Sequence, residues 1–143
     1  MAIEKPLLHA VVMCDYVHMD KSTRKFSLLG TFTGIQISTK FPAIYQPVGV
    51  FVMVSHWTSD QSLRFRVVYN LLEVVAESRE IKVKKHPPSA TVSFGLNLPP
   101  LPLPLPGHYA IQVLVDKEIL HQFIFDAELV QQQGQQPAEE ETP

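Results

Sequence analysis

The sequence predicts an all-β fold, an antiparallel β-sandwich of about eight strands. Three observations carry that reading. Tyr109, Ile111, Val113 and Val115 alternate with Ala110, Gln112 and Leu114. A polar step, Asp116-Lys117-Glu118, follows, and Ile119, Phe123 and Phe125 then share one face of a second strand. Period-two alternation around a short polar turn is the pattern of a β-hairpin. The stretch before it, Leu98–Pro106, is so dense in proline that helix is excluded. The remaining apolar runs recur at the short spacing of a sandwich or barrel, separated by clusters of polar residues, proline and glycine.

The elements follow in chain order. Leu7–His18 is nearly continuously apolar and reads as a buried first strand, turned by Asp20–Thr23. Phe26–Ser38 returns as the second, with Gly30 and Gly34 marking a bulge or a close backbone approach. Phe41–Pro47 is a loop, because its prolines forbid a central strand. Val48–Trp57 is the third strand and 58–62 a polar loop. Leu63–Tyr69 alternates cleanly. Residues 68–79 also fit helical spacing, but a hairpin of Leu63–Tyr69 with Val74–Val83 around Asn70–Glu73 suits the neighbouring pattern better. Ala90–Leu96 is a strand, the proline ladder crosses over with its leucines packed inward, and the hairpin of 109–125 completes one domain over residues 1–130. From Gln131 the chain reads QQQGQQPAEEETP and offers no apolar side chain larger than alanine. Such a segment cannot offset its own ordering entropy, so 131–143 is expected to be a disordered tail.

Composition narrows the function classes. The formal net charge is −2, and without Glu139, Glu140 and Glu141 the chain carries 12 basic and 11 acidic residues. A nucleic-acid binder would usually show a basic stripe; Lys82 and Lys84 instead alternate with Ile81 and Val83, as on the wet face of one strand. Cys14 is the only cysteine, which favours a reducing compartment, and the cytoplasm is the expected address. Leu7–Cys14 resembles a lipoprotein signal faintly, but His9 breaks the run and Met13 is not small, so a buried strand explains it better. No run of 18 apolar residues suggests a membrane span.

Several short motifs resemble a known group. Cys14-Asp15, then Lys25-Phe26-Ser27-Leu28-Leu29-Gly30-Thr31-Phe32, then Phe41-Pro42, are similar to the opening half of a widespread family of small bacterial proteins of unknown function. Leu98-Pro99, Leu101 and Pro106-Gly107 with Tyr109, followed by the turn at Asp116, resemble its closing half. The resemblance covers about residues 5–127 and implies a sandwich-like all-β domain, with no activity, cofactor or catalytic residue attached. The chain departs from the family pattern at Asn70–Glu73 and Asp116-Lys117, which lack the glycine expected in such turns.

Two clusters carry candidate chemistry. His56, Trp57 and Asp60 stand at a strand end and its loop, where an indole beside polar groups suits a sugar or peptide platform. Asp15, His18 and Asp20 could hold a divalent ion, though further ligands at recognisable spacing are missing. No nucleophile elbow, dinucleotide loop or phosphate loop is present. Leu98-Pro99-Pro100-Leu101-Pro102 approaches a proline-rich ligand motif but reads as a stiff crossover. The expectation is therefore a non-catalytic binding module that needs no cofactor and works through a protein partner or its own copies, without nucleic acid or membrane. A small ligand or carbohydrate near Trp57 is the first alternative, and a metal-dependent enzyme at Asp15, His18 and Asp20 the second.

Overall fold

The computed structural model describes residues 5–130 and contains twelve strands. They are β1 (Leu7–Met19), β2 (Phe26–Phe32), β3 (Gly34–Ile37), β4 (Ala43–Tyr45), β5 (Val48–Ser55) and β6 (Gln61–Tyr69). Then follow β7 (Glu73–Glu77), β8 (Ile81–Val83), β9 (Val92–Leu98), β10 (Leu101–Leu103), β11 (Gly107–Val115) and β12 (Glu118–Leu129). One sheet has the order β2-β1-β5-β9. The other has the order β3-β12-β11-β6-β7, with β8 also on β6, and β10 pairs with β4 in a two-stranded ribbon. Among the described residues no helix is long and apolar enough to cross a membrane.

The two sheets form a sandwich, because alternate residues of both meet in one core. Val48, Val50, Val52 and Val54 of β5 face Phe65, Ile111, Val113 and Phe125 of the opposite sheet. On the outer side of the second sheet a polar ladder runs across neighbouring strands. Arg66 Nε donates to Gln112 Oε1 at 2.9 Å, and Gln112 Nε2 donates to Gln122 Oε1 at 2.9 Å. Gln112 is thereby buried with its amide satisfied, as an uncharged polar group requires.

The first sheet is partly covered by its own hairpin. β1 pairs with β5 only as far as Cys14 and with β2 to its end. Beyond Cys14 the β1–β2 hairpin bends across the outer face of β5 and β9. Val17 and Phe26 occupy the space that side chains at Gly49 and Gly95 would need; a Cβ on Gly95 would lie 2.4 Å from Val17 Cγ1. Asn97 holds the bend in place. Its Oδ1 accepts from Val17 N at 2.9 Å, and its Nδ2 donates to Val17 O at 3.0 Å. A side-chain amide here completes a ladder that the strand itself has left.

Several elements differ from the sequence reading. The expected second strand is two: after Thr33 the chain changes sheet, and β3 pairs parallel with β12 rather than antiparallel. Val74–Val83 is strand, not helix, but splits at Ser78. The Ser78 hydroxyl accepts from Phe65 N at 2.9 Å where a regular ladder would offer a carbonyl. Ala43–Tyr45 forms a strand between its prolines, tolerated because its partner is only the short β10. In β10 the leucines of the ladder do point inward: Leu101 and Leu103 are buried while Pro102 is exposed. Ile119, expected in the core, is exposed. A bulge between β11 and β12 inserts one residue, so Leu120 packs on the core in place of Ile119. The tail from Gln131 lies outside the described residues.

Candidate functional site

The loop after β5 holds Trp57 inward. The indole has no exposed surface, its Nε1 donates to Val83 O at 3.2 Å, and its ring lies 5.8 Å from that of Phe94. The loop is tied to the segment after β8. His86 N donates to Trp57 O at 2.7 Å, His56 N to Pro88 O at 3.1 Å, and Lys85 N to Asp60 Oδ1 at 2.8 Å. His56 Nδ1 and His9 Nε2 both lie on the Ser55 hydroxyl, at 3.1 and 2.8 Å. The Trp57 ring of the expected platform is thus not presented to solvent, while His56 is half-buried and Asp60 exposed. A large apolar ring beside the core gains more from burial than from water.

Asp15, His18 and Asp20 are not brought together either. Three positions apart on an extended strand, Asp15 and His18 project from opposite faces. Asp15 lies against Gly30 across the ladder. The Asp20 carboxylate closes its own turn, with Oδ1 accepting from Ser22 Oγ and Ser22 N at 2.8 Å and from Thr23 N at 3.3 Å. Those bonds, the Ser22 hydroxyl first, hold its carboxyl below the usual aspartate range. Among the described residues no three His, Cys, Asp or Glu side chains converge on a metal position.

Two polar hollows do appear. One, of about 820 Å³, lies where β3, β11 and β12 meet and is lined by Thr33, Gln36, Tyr45, His108, Asp126 and Glu128. His108 Nδ1 and Asp126 Oδ1 are in hydrogen-bond contact there, placed opposite each other by the hairpin register. The other, about 360 Å³, is lined by Asp60, Glu80, Lys82 and Asp116. Sequence reading missed the first pair: counting back from the turn at Asp116-Lys117 sets His108 opposite Phe125, and only the bulge between β11 and β12 brings Asp126 into register with it.

The end of the sandwich at the β6–β7 turn has a different character. Asn70 and Leu71 both take left-handed backbone, at φ of 54° and 61°. For a leucine this is sterically costly. Leu72, next in the turn, is 87% exposed, and Val74 and Ile44 are also exposed. Val74 and Ile44 line an apolar groove of about 550 Å³ between β7 and the β4–β10 ribbon, together with Pro42, Val75, Pro102 and Pro104, and the Leu71-Leu72 tip adjoins it through Glu73. Clustered apolar side chains at a surface mark contact sites more often than isolated ones. The sequence signal was present as the glycine missing from Asn70–Glu73.

The profile of a family of unknown function (DUF6941) matches residues 9–128. The chain belongs to the DUF6941 family. The matched span runs from β1 to β12, so both hollows, the apolar groove and the bent hairpin lie within what defines DUF6941. Comparison with curated proteins gives no match. Among solved structures, an immunoglobulin-like protein from Pseudomonas aeruginosa is similar at 13% identity. The alignment covers 89% of this chain and 99% of that one, with a TM-score of 0.36. At that score no contact or role is transferred from it to this DUF6941 protein.

Proposed function

We propose that this protein is a non-catalytic interaction module that docks a protein partner at the apolar end of the sandwich. The observation that supports it is the tip formed by Leu71 and Leu72, where strained backbone holds two large apolar side chains toward water beside the β7 groove. Backbone strain of this kind persists at functional sites when the surrounding structure enforces it. The groove suits a segment with apolar side chains, since Val74 and Val75 face Ile44 and the prolines of the ribbon across it. The lone buried cysteine fits work in a reducing compartment such as the cytoplasm. Affinity capture should return a stoichiometric partner with the natural chain and none with Leu72→Glu combined with Ile44→Glu. Equal capture by both would sink this reading.

A polar small ligand is the second reading, and the hollow beside His108 and Asp126 favours it over the loop of Trp57. A reproducible hit in a metabolite or glycan screen that disappears in His108→Ala would move the preference there.

A further inference from the structure

We infer that the chain self-associates by antiparallel pairing of β9 with β9 of a second copy, about a two-fold axis at Gly95. The inference shares with the proposed function only that the protein acts by contact; it concerns a different surface, and each can fail alone.

An unpaired strand edge is a template for another chain, and natural proteins guard it with charges, proline, bulges or shortness. Nearly every exposed edge here carries such a guard. β3 has four residues and β8 three, with Lys82 in its middle. β7 is flanked by Glu73 and Glu77 and is bulged against β6. In the ribbon, β10 contains Pro102, and β4 lies between Pro42 and Pro47. β2 carries Gly30 in left-handed backbone, at φ 68°, in its middle.

β9 has none of these. Val92–Leu98 (VSFGLNL) contains no charge and no proline, and it pairs with β5 in unbroken register over seven residues. Among the described strands β5 is its sole partner.

The sequence of β9 also fits a copy of itself. A two-fold axis at Gly95 sets Val92 opposite Leu98 and Phe94 opposite Leu96 on the face that packs on the core. On the other face Ser93 meets Asn97, and glycine meets glycine. Apolar pairs of this kind stabilise a ladder, and no like charges oppose. The same operation on β7 would set Glu73 against Glu77, which repel. The product is one continuous eight-stranded sheet through both copies, a closed isologous dimer. A single edge of this length is a small interface, so the dimer forms in the micromolar range or weaker.

The test is sedimentation velocity of the full chain from micromolar to submillimolar concentration, together with hydrogen exchange of the β9 amides. Ser93→Asp and Ser93→Thr are the variants. Ser93 borders a surface hollow with Arg24 and Lys25, so the folded monomer tolerates an aspartate, the kind of charge that guards a free edge against pairing. Three results support the inference. The natural chain and Ser93→Thr dimerise, Ser93→Asp stays monomeric with an unchanged β spectrum and melting temperature, and alternate β9 amides gain protection as concentration rises. A monomer at every concentration overturns it. So does an oligomer that Ser93→Asp leaves intact, or one in which β9 exchanges at the same rate at all concentrations. If Ser93→Asp does not fold, the concentration dependence of β9 exchange in the natural chain decides alone. None of these outcomes bears on partner capture through Leu72.

Discussion

Asn97 shows how one side chain can redirect an element. Its amide replaces a strand edge for Val17, and Gly49 and Gly95 leave the space that Val17 fills. Asn97→Ala removes both bonds and leaves Val17 N–H and C=O short of partners, so it should destabilise by about 1–3 kcal/mol, read by chemical denaturation. No measurable loss would mean that packing of Val17 and Phe26 alone holds the hairpin. Trp57 is the larger case. Buried beside Phe94 and bonded to Val83 O, it should cost about 3–5 kcal/mol when changed to Ala. Near-normal stability in Trp57→Ala would place the indole outside the core and return the loop to consideration as a platform.

The β6–β7 turn carries a conflict between local and global demands. Leu71 sits in left-handed backbone that glycine would adopt without steric penalty. Leu71→Gly should therefore leave stability unchanged or raise it by up to about 1 kcal/mol, while weakening capture of a partner. A clear loss of stability would mean that the leucine packs on the fold rather than serving the surface. The other departure from glycine, Asp116-Lys117, has a structural explanation. Asp116 Oδ1 accepts from Ser62 N at 2.9 Å and from Ser62 Oγ at 3.2 Å, so that turn is fastened to β6.

Across the whole molecule, Cys14 reports on the integrity of the first sheet. It is fully buried, and burial is the main cause that raises its thiol above the ordinary range. The folded state then holds the thiol proton more tightly than the unfolded chain does. Its contribution is fully present below the ordinary thiol range near pH 8.5 and declines as pH rises above it. Thermal unfolding scans should show an alkaline loss of stability that is reduced in Cys14→Ala. Modification by a thiol reagent at neutral pH should be slow until the protein unfolds. Rapid labelling of the native protein would show that the β1–β2 hairpin opens readily.

Strand identity and the closing hairpin were legible in the sequence, because period-two alternation in 63–69 and 109–115 is a local property of residues facing a core. The inward Leu101 and Leu103 of the proline ladder were legible for the same reason, whereas Leu105, expected inward as well, is exposed. The family resemblance was legible as motifs, and its glycine-poor turns pointed to two of the places where the backbone is left-handed. What local pattern could not carry was anything that depends on two strands at once. The bulge that turns Ile119 outward exists only in the pairing of β11 with β12. The change of sheet at Thr33 depends on where β12 lies. Trp57 looks the same in sequence whether it faces water or Phe94, and only the packing of β9 against its loop decides. His108 meets Asp126, and Val17 meets Asn97, because distant segments are brought into register. The sequence determined the long strands, though not β4 and β10 among the prolines, which exist only by pairing with each other; the tertiary structure alone decided which strands are neighbours, and hence which side chains are free to bind.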